Sequence, residues 1–140
     1  MFEEVEPEIF LRLGNEMMGR HHKAAANTES RRFHATFGTS PFICALLWAM
    51  LEPCEVMPIG VHPKHLMWAL MFLKLYVSEH VNCAMAGGVD EKTYRKWTWL
   101  FVNEIASLAE STVRHHAEFR MTSCINSRSH RSFFFCSLIF

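Results

Sequence analysis

The stretch SEHVNCAMAGGVDEKTYRKWTWLFVNEIASL, Ser78 to Leu108, reads as two helices joined by a tight turn. The turn falls at Gly87-Gly88, where the missing Cβ permits a positive φ. Asp90 follows as an N-cap, its carboxylate able to accept from the free N–H groups of the next turn. Glu91 adds negative charge at the positive end of that helix. From there Tyr94, Trp97, Phe101, Ile105 and Leu108 recur at helical spacing along one stripe, with Lys92, Arg95, Lys96 and Asn103 on the opposite face.

This is the layout of a helix-turn-helix. Ala84 supplies a small residue inside the first helix, Gly88 sits in the turn, and Val89, Tyr94 and Trp97 occupy the positions that pin the two helices together. Asp90, Glu91, Lys92, Arg95 and Lys96 then lie on the outer face at the start of the second helix, the part that enters the major groove in a DNA-bound motif of this kind. Spacing alone leaves an ordinary helical hairpin with a solvated basic face equally open. Gly87 departs from the motif, since an apolar residue is usual there. Trp97 and Trp99 lie about 200° apart on a helical wheel, so only Trp97 belongs to the apolar stripe. Trp99 is left to pack on the N-terminal helices or on a partner.

Outward from this stretch, the rest of the chain also reads as helix. Pro63 opens a central helix, 63–77, apolar on nearly every side and therefore expected to be enclosed by others. Ser40-Pro41 is a helix start, with Ser as N-cap and Pro in the first turn, and Ile43, Leu46, Leu47, Met50 and Leu51 mark the inward stripe of a helix over 41–52. Thr28 or Ser30 caps a short helix through Phe37, ended by Gly38. Pro7 to Met18 forms the first helix, followed by a linker from Arg20 to Asn27. With no alternating strand pattern and no internal repeat, the expected architecture is all-α. A tri-helical helix-turn-helix unit (63–108) is joined by additional N-terminal helices, with one core shared by Leu66, Leu70, Leu73, Trp97 and Phe101. The segments are 1–27 (N-terminal helix and linker), 28–113 (helical domain) and 114–140 (irregular tail, ending in the greasy FFFCSLIF).

A chain of 140 residues is long enough for one domain with a real core. Fourteen Lys+Arg balance fourteen Asp+Glu, so no global positive field advertises nucleic acid. Even within 78–108 three basic residues face four acidic ones, and only their placement on one face would favour a polyanion. The five Cys are odd in number and form no C-x-x-C, which argues for a reducing compartment over a disulfide framework. The acidic start MFEEVEPEIF lacks the basic opening of a signal peptide, and the longest apolar run, Leu66–Leu73, is far too short to span a bilayer; a soluble protein is expected, with no membrane. Neither Cys54 with His62 and His65 nor Cys124 with His130 and Cys136 has the paired short spacings of a structural zinc site, so no metal or cofactor is expected. No Ser or Cys sits in a nucleophile elbow, and no Gly-rich loop has phosphate-cradle spacing.

The segments RRFHATFGTSP (31–41), HPKHLMWALMFLKLY (62–76) and GGVDEKTYRKWTW (87–99) resemble the N-terminal region of eukaryotic DDE-type transposases of the broad Harbinger-like kind. The resemblance covers Ser30 to about Val113. It implies a helix-turn-helix region that in the family precedes an RNase H-like catalytic domain holding metal through three acidic residues. No such domain follows in this sequence, which looks like a truncated copy; the resemblance therefore implies a DNA-binding-type module without enzymatic activity. Lys92, Arg95 and Lys96 would contact phosphates or base edges of double-stranded DNA, Thr93 would add a phosphate hydrogen bond, and a homodimer and a nuclear location would fit. Two alternatives remain open: a helical protein-interaction module, or a decayed mobile-element fragment without DNA binding, in which case a cytoplasmic location fits as well.

Overall fold

The computed structural model describes residues 5–51 and 57–122, the side chains of 115–122 excepted. Six helices follow in order: α1 (Pro7–Met17), α2 (Ala26–Phe37), α3 (Pro41–Leu51), α4 (Pro63–Leu75), α5 (Glu79–Met85) and α6 (Glu91–Thr122). Among the described residues there is no strand, so the all-α expectation holds. No single described helix is long and apolar enough to cross a membrane; the bent pair α2–α3 passes that test together, by length and composition only. The described residues divide into two units, one up to Val102 and one from Asn103.

In the first unit α4 is the hub. It packs against α1, α2, α3 and α5. Its residues His65 to Met71 are buried without interruption, which is possible only for a helix covered on all sides. Pro63 in the first turn needs no N–H partner, and His62 and His65 close a capping box in which each side chain accepts the other's backbone N–H. The helix ends at Tyr76, a left-handed residue (φ 49°) whose ring is exposed. Leu73, expected in the shared core, is 39% exposed. The fully enclosed part of α4 stops at Met71, and the last turn is covered only in part, Phe72 by Trp99 and Lys74 beside Gly38, a limit that periodicity along one helix does not encode.

Helix α3 corrects the expected stripe. The buried residues are Cys44, Leu47, Trp48 and Leu51, while Leu46 and Met50 are exposed and Ile43 lies between. Nearly every position of PFICALLWAML is apolar, so the sequence offers two stripes at helical spacing. The inward one is that which buries the large Trp48 ring against Phe101, 6.1 Å centre to centre. At its start the Ser40 hydroxyl accepts the Ile43 N–H as expected (3.3 Å).

Helix α2 begins earlier than Thr28 or Ser30. It starts at Ala26, and Ala25 at its cap offers no side-chain acceptor. Ala26, a good helix former, and Asn27 extend it backwards. Glu29 in the first turn secures the end by accepting the Ala24 N–H (3.2 Å). Gly38, at φ 75°, closes the helix as expected. Phe33 and Phe37 sit 4.7 Å apart and are buried, and Phe33 lies so close to Gly14 of α1 that a Cβ there would stand 2.6 Å from its ring.

In the second unit α6 continues as regular helix to Thr122, well past the expected domain end at 113 and so into the segment expected to be irregular. Ser111 and Thr112 hydroxyls both donate to the Leu108 carbonyl, and Arg114 pairs with Glu110 one turn back. Residues 123–140, with the FFFCSLIF ending, lie outside the described residues.

Candidate functional site

The candidate site is the junction of α5 and α6. Gly87 (φ 98°) and Gly88 (φ 75°) make the reversal, and the N–H groups of Gly88 and Val89 both donate to the Cys83 carbonyl, closing the end of α5. Asp90 then caps α6: its Oδ2 accepts from the backbone N–H of Lys92 (3.1 Å) and, more weakly, Thr93 (3.4 Å). With one carboxylate oxygen serving two N–H groups, the helix start carries its own anion and has less capacity for a foreign one.

The inner side of α6 is fixed by aromatic packing. Tyr94 is 1% exposed; its hydroxyl donates to the Trp68 carbonyl (3.2 Å), and its ring lies 5.7 Å from that of Trp68. Burial pushes the Tyr94 phenol up to about 12. Trp97 stacks on His65 at 4.2 Å with the rings nearly parallel, and Trp68 meets the same His65 edge-on at 4.8 Å. His65 Nδ1 accepts the His62 N–H (3.0 Å), so the ring is neutral and carries its proton on Nε2. Burial, Lys64 and His62 hold its pKa down at about 4. Trp99, on the other side, rests against Phe72 at 5.7 Å and stays half-exposed.

The outer side presents Lys92, Thr93, Arg95 and Lys96, all exposed. The structure therefore brings the four expected DNA-facing residues to one face, but they are not equivalent. Arg95 donates from Nε and Nη2 to the two carboxylate oxygens of Glu79, at 3.0 and 2.7 Å, and this partner holds its pKa above the ordinary value. The Lys96 ammonium lies over the Trp97 ring at 5.0 Å. A second pair links the same helices, His80 Nδ1 to Glu91 at 3.4 Å. The electrostatics of this surface are thus alternating: the acids of α5 and of the α6 start lie among the bases.

Two expectations at the junction change. Ala84 is exposed and does not mark a close approach; Asn82 and Cys83 are the buried residues of α5. A short helix of seven residues has room for only one inward pair, and the turn geometry decides which. Glu79 and His80 were not recognisable as site residues, and His65 was weighed only as a metal ligand. Glu79 meets Arg95 across sixteen positions and a turn, which no local spacing signals.

Other chemistry finds little support among the described residues. No three His, Cys, Asp or Glu cluster as a metal site. Cys54, Cys124, His130 and Cys136 lie outside the described residues. Cys44 and Cys83 are buried free thiols whose pKa is raised, to about 12 for Cys44 by burial, and for Cys83 by burial and the neighbouring Glu79, Glu91 and Asp90; neither is a ready nucleophile. No protein-family model, curated protein or solved structure matches the chain.

Proposed function

We propose that this chain is a DNA-binding-type helical module that meets duplex DNA with the start of α6. The observation carrying the proposal is the placement of Lys92, Thr93 and Lys96. All three are exposed on the first turns of a helix that follows a two-glycine reversal and is anchored from behind by Tyr94 and Trp97. Two lysines and a hydroxyl suit phosphate oxygens, which position a protein without reading sequence. The zero net charge and the adjacent acids make such binding weak and strongly salt-dependent, so a homodimer presenting two such helices is the more effective form. A nuclear location follows from this proposal.

The test is fluorescence anisotropy of a labelled duplex at low salt. The wild type should bind in the micromolar range. Lys92→Gln/Lys96→Gln should weaken binding to all sequences alike, with a salt dependence shallower by about 0.9 for each phosphate that is no longer neutralised. Absence of binding by the wild type would reject the proposal.

A second reading rests on a different observation. Trp99 is half-exposed against Phe72, and Leu73, Tyr76 and Val77 at the end of α4 are also exposed. Exposed aromatic residues of this kind are enriched where proteins meet, which favours a helical protein-interaction module if the duplex test fails.

A further inference from the structure

Arg95 is the member of the basic face best suited to reading a base, because its planar fork can donate two parallel hydrogen bonds to guanine N7 and O6. In this fold one of the two bidentate edges of that fork is already engaged. Nε and Nη2 make the side-on edge through which a guanidinium can grip a carboxylate or a guanine, and both are directed at Glu79, which tethers the remaining end-on edge to α5. Glu79 is itself well placed to hold it, since it stands in the first turn of α5, where the helix end favours a carboxylate. The pair is at the surface, with the two side chains 54% and 32% exposed, so it lies where an incoming duplex would meet it. The neighbouring His80–Glu91 contact crosses the same two helices with its acid on α6, so the first two residues of α5 both meet the first turns of α6.

Resting on the DNA-binding proposal above, we infer that Glu79 is a specificity-determining residue: it occupies the side-on edge of Arg95, pairs its charge and tethers it to α5, and so leaves α6 to touch phosphates through Lys92, Thr93 and Lys96 without reading a base. The chain then binds duplexes irrespective of sequence, and removal of the Glu79 charge frees Arg95 to bind DNA as well. Because the pair is exposed and screened by salt, the gain is moderate rather than all-or-none.

The experiment measures binding of wild type, Glu79→Gln, Glu79→Ala and Glu79→Gln/Arg95→Gln to G·C-rich and A·T-rich duplexes across a salt series, with helicity checked by circular dichroism. Wild type should bind the duplexes within about twofold of each other. Glu79→Gln and Glu79→Ala should bind about three- to tenfold more tightly at low salt, with a log–log salt slope steeper by about 0.9 and a preference for the G·C-rich duplex. The double variant should lose that gain. If the wild type binds but neither single variant is tighter or steeper, the inference is overturned. It is also overturned if the gain survives in the double variant, since Glu79 would then act only by repelling phosphate. If the wild type binds no duplex at micromolar protein, the DNA-binding proposal itself fails and takes this inference with it.

Discussion

The two sides of α6 solve different problems with the same few turns. Toward α4, Tyr94 and Trp97 are buried, their rings packed on Trp68 and His65, and the tyrosine hydroxyl is satisfied by a backbone carbonyl. Toward α5 and solvent, Arg95 and Glu91 are exposed, Arg95 paired by charge with Glu79 and Glu91 in hydrogen-bond contact with His80. Buried aromatic area is worth several times an exposed ion pair. The first side therefore holds the fold, and the second is free to exchange one partner for another. A binding surface is best placed where its rearrangement costs the fold little.

That contrast predicts a graded set of outcomes. The largest is Tyr94→Ala, which removes a ring that is 1% exposed and should cost about 3–5 kcal/mol by chemical denaturation. A cost comparable to that of a surface substitution would break the distinction between the two sides. Next is acid. His65 has a folded pKa of about 4 against an ordinary 6.5, so the unfolded chain takes up the proton first. Its contribution is fully present above pH 6.5, falls as pH drops, and levels off below about 4, a loss of about 3 kcal/mol at roughly 1.4 kcal/mol per unit. His62, also held low by burial and Lys64, acts in the same direction. His65→Gln should flatten the stability profile between pH 6.5 and 4 relative to wild type; an unchanged profile would mean that the stacked ring tolerates its charge. A smaller effect is expected of Tyr94→Phe, which keeps the ring and removes the hydroxyl that donates to the Trp68 carbonyl, at about 1 kcal/mol. The smallest belongs to Glu79→Gln, which should barely move the thermal midpoint, since its pair with Arg95 is solvent-exposed. A large shift there would show that the charged side also carries the fold.

Much of the first side was legible in the sequence and little of the second. Helical spacing located Tyr94, Trp97 and Phe101 on one buried stripe, and Asp90 announced its helix because capping depends only on the next two or three residues. The apolar helices were harder. In α3 two equally good stripes compete, and only the packing of Trp48 on Phe101 decides between them. In α4 the point where burial stops is set by the reach of neighbouring helices, which left Leu73 outside. His65 invited a metal reading because histidines three apart at a helix start look like ligands. Here they serve as each other's caps and as a stacking surface. For the candidate site, the exposure of Lys92, Arg95 and Lys96 followed from helix phase alone. The engagement of Arg95 by Glu79 did not, because it depends on the angle at which two glycines return the chain.

The two buried thiols place a natural clock on different helices. Cys44 of α3 and Cys83 of α5 are 0% and 4% exposed, and neither is activated. A thiol reagent can reach each only when its surroundings open, so the labelling half-life at each cysteine reports a local opening free energy without any mutation. Peptide-resolved mass spectrometry separates them from Cys54, Cys124 and Cys136. A Cys83 that reacts well before Cys44 would show α5 parting from the bundle while the rest stays closed, and DNA that slows only Cys83 would locate the bound surface on that helix pair.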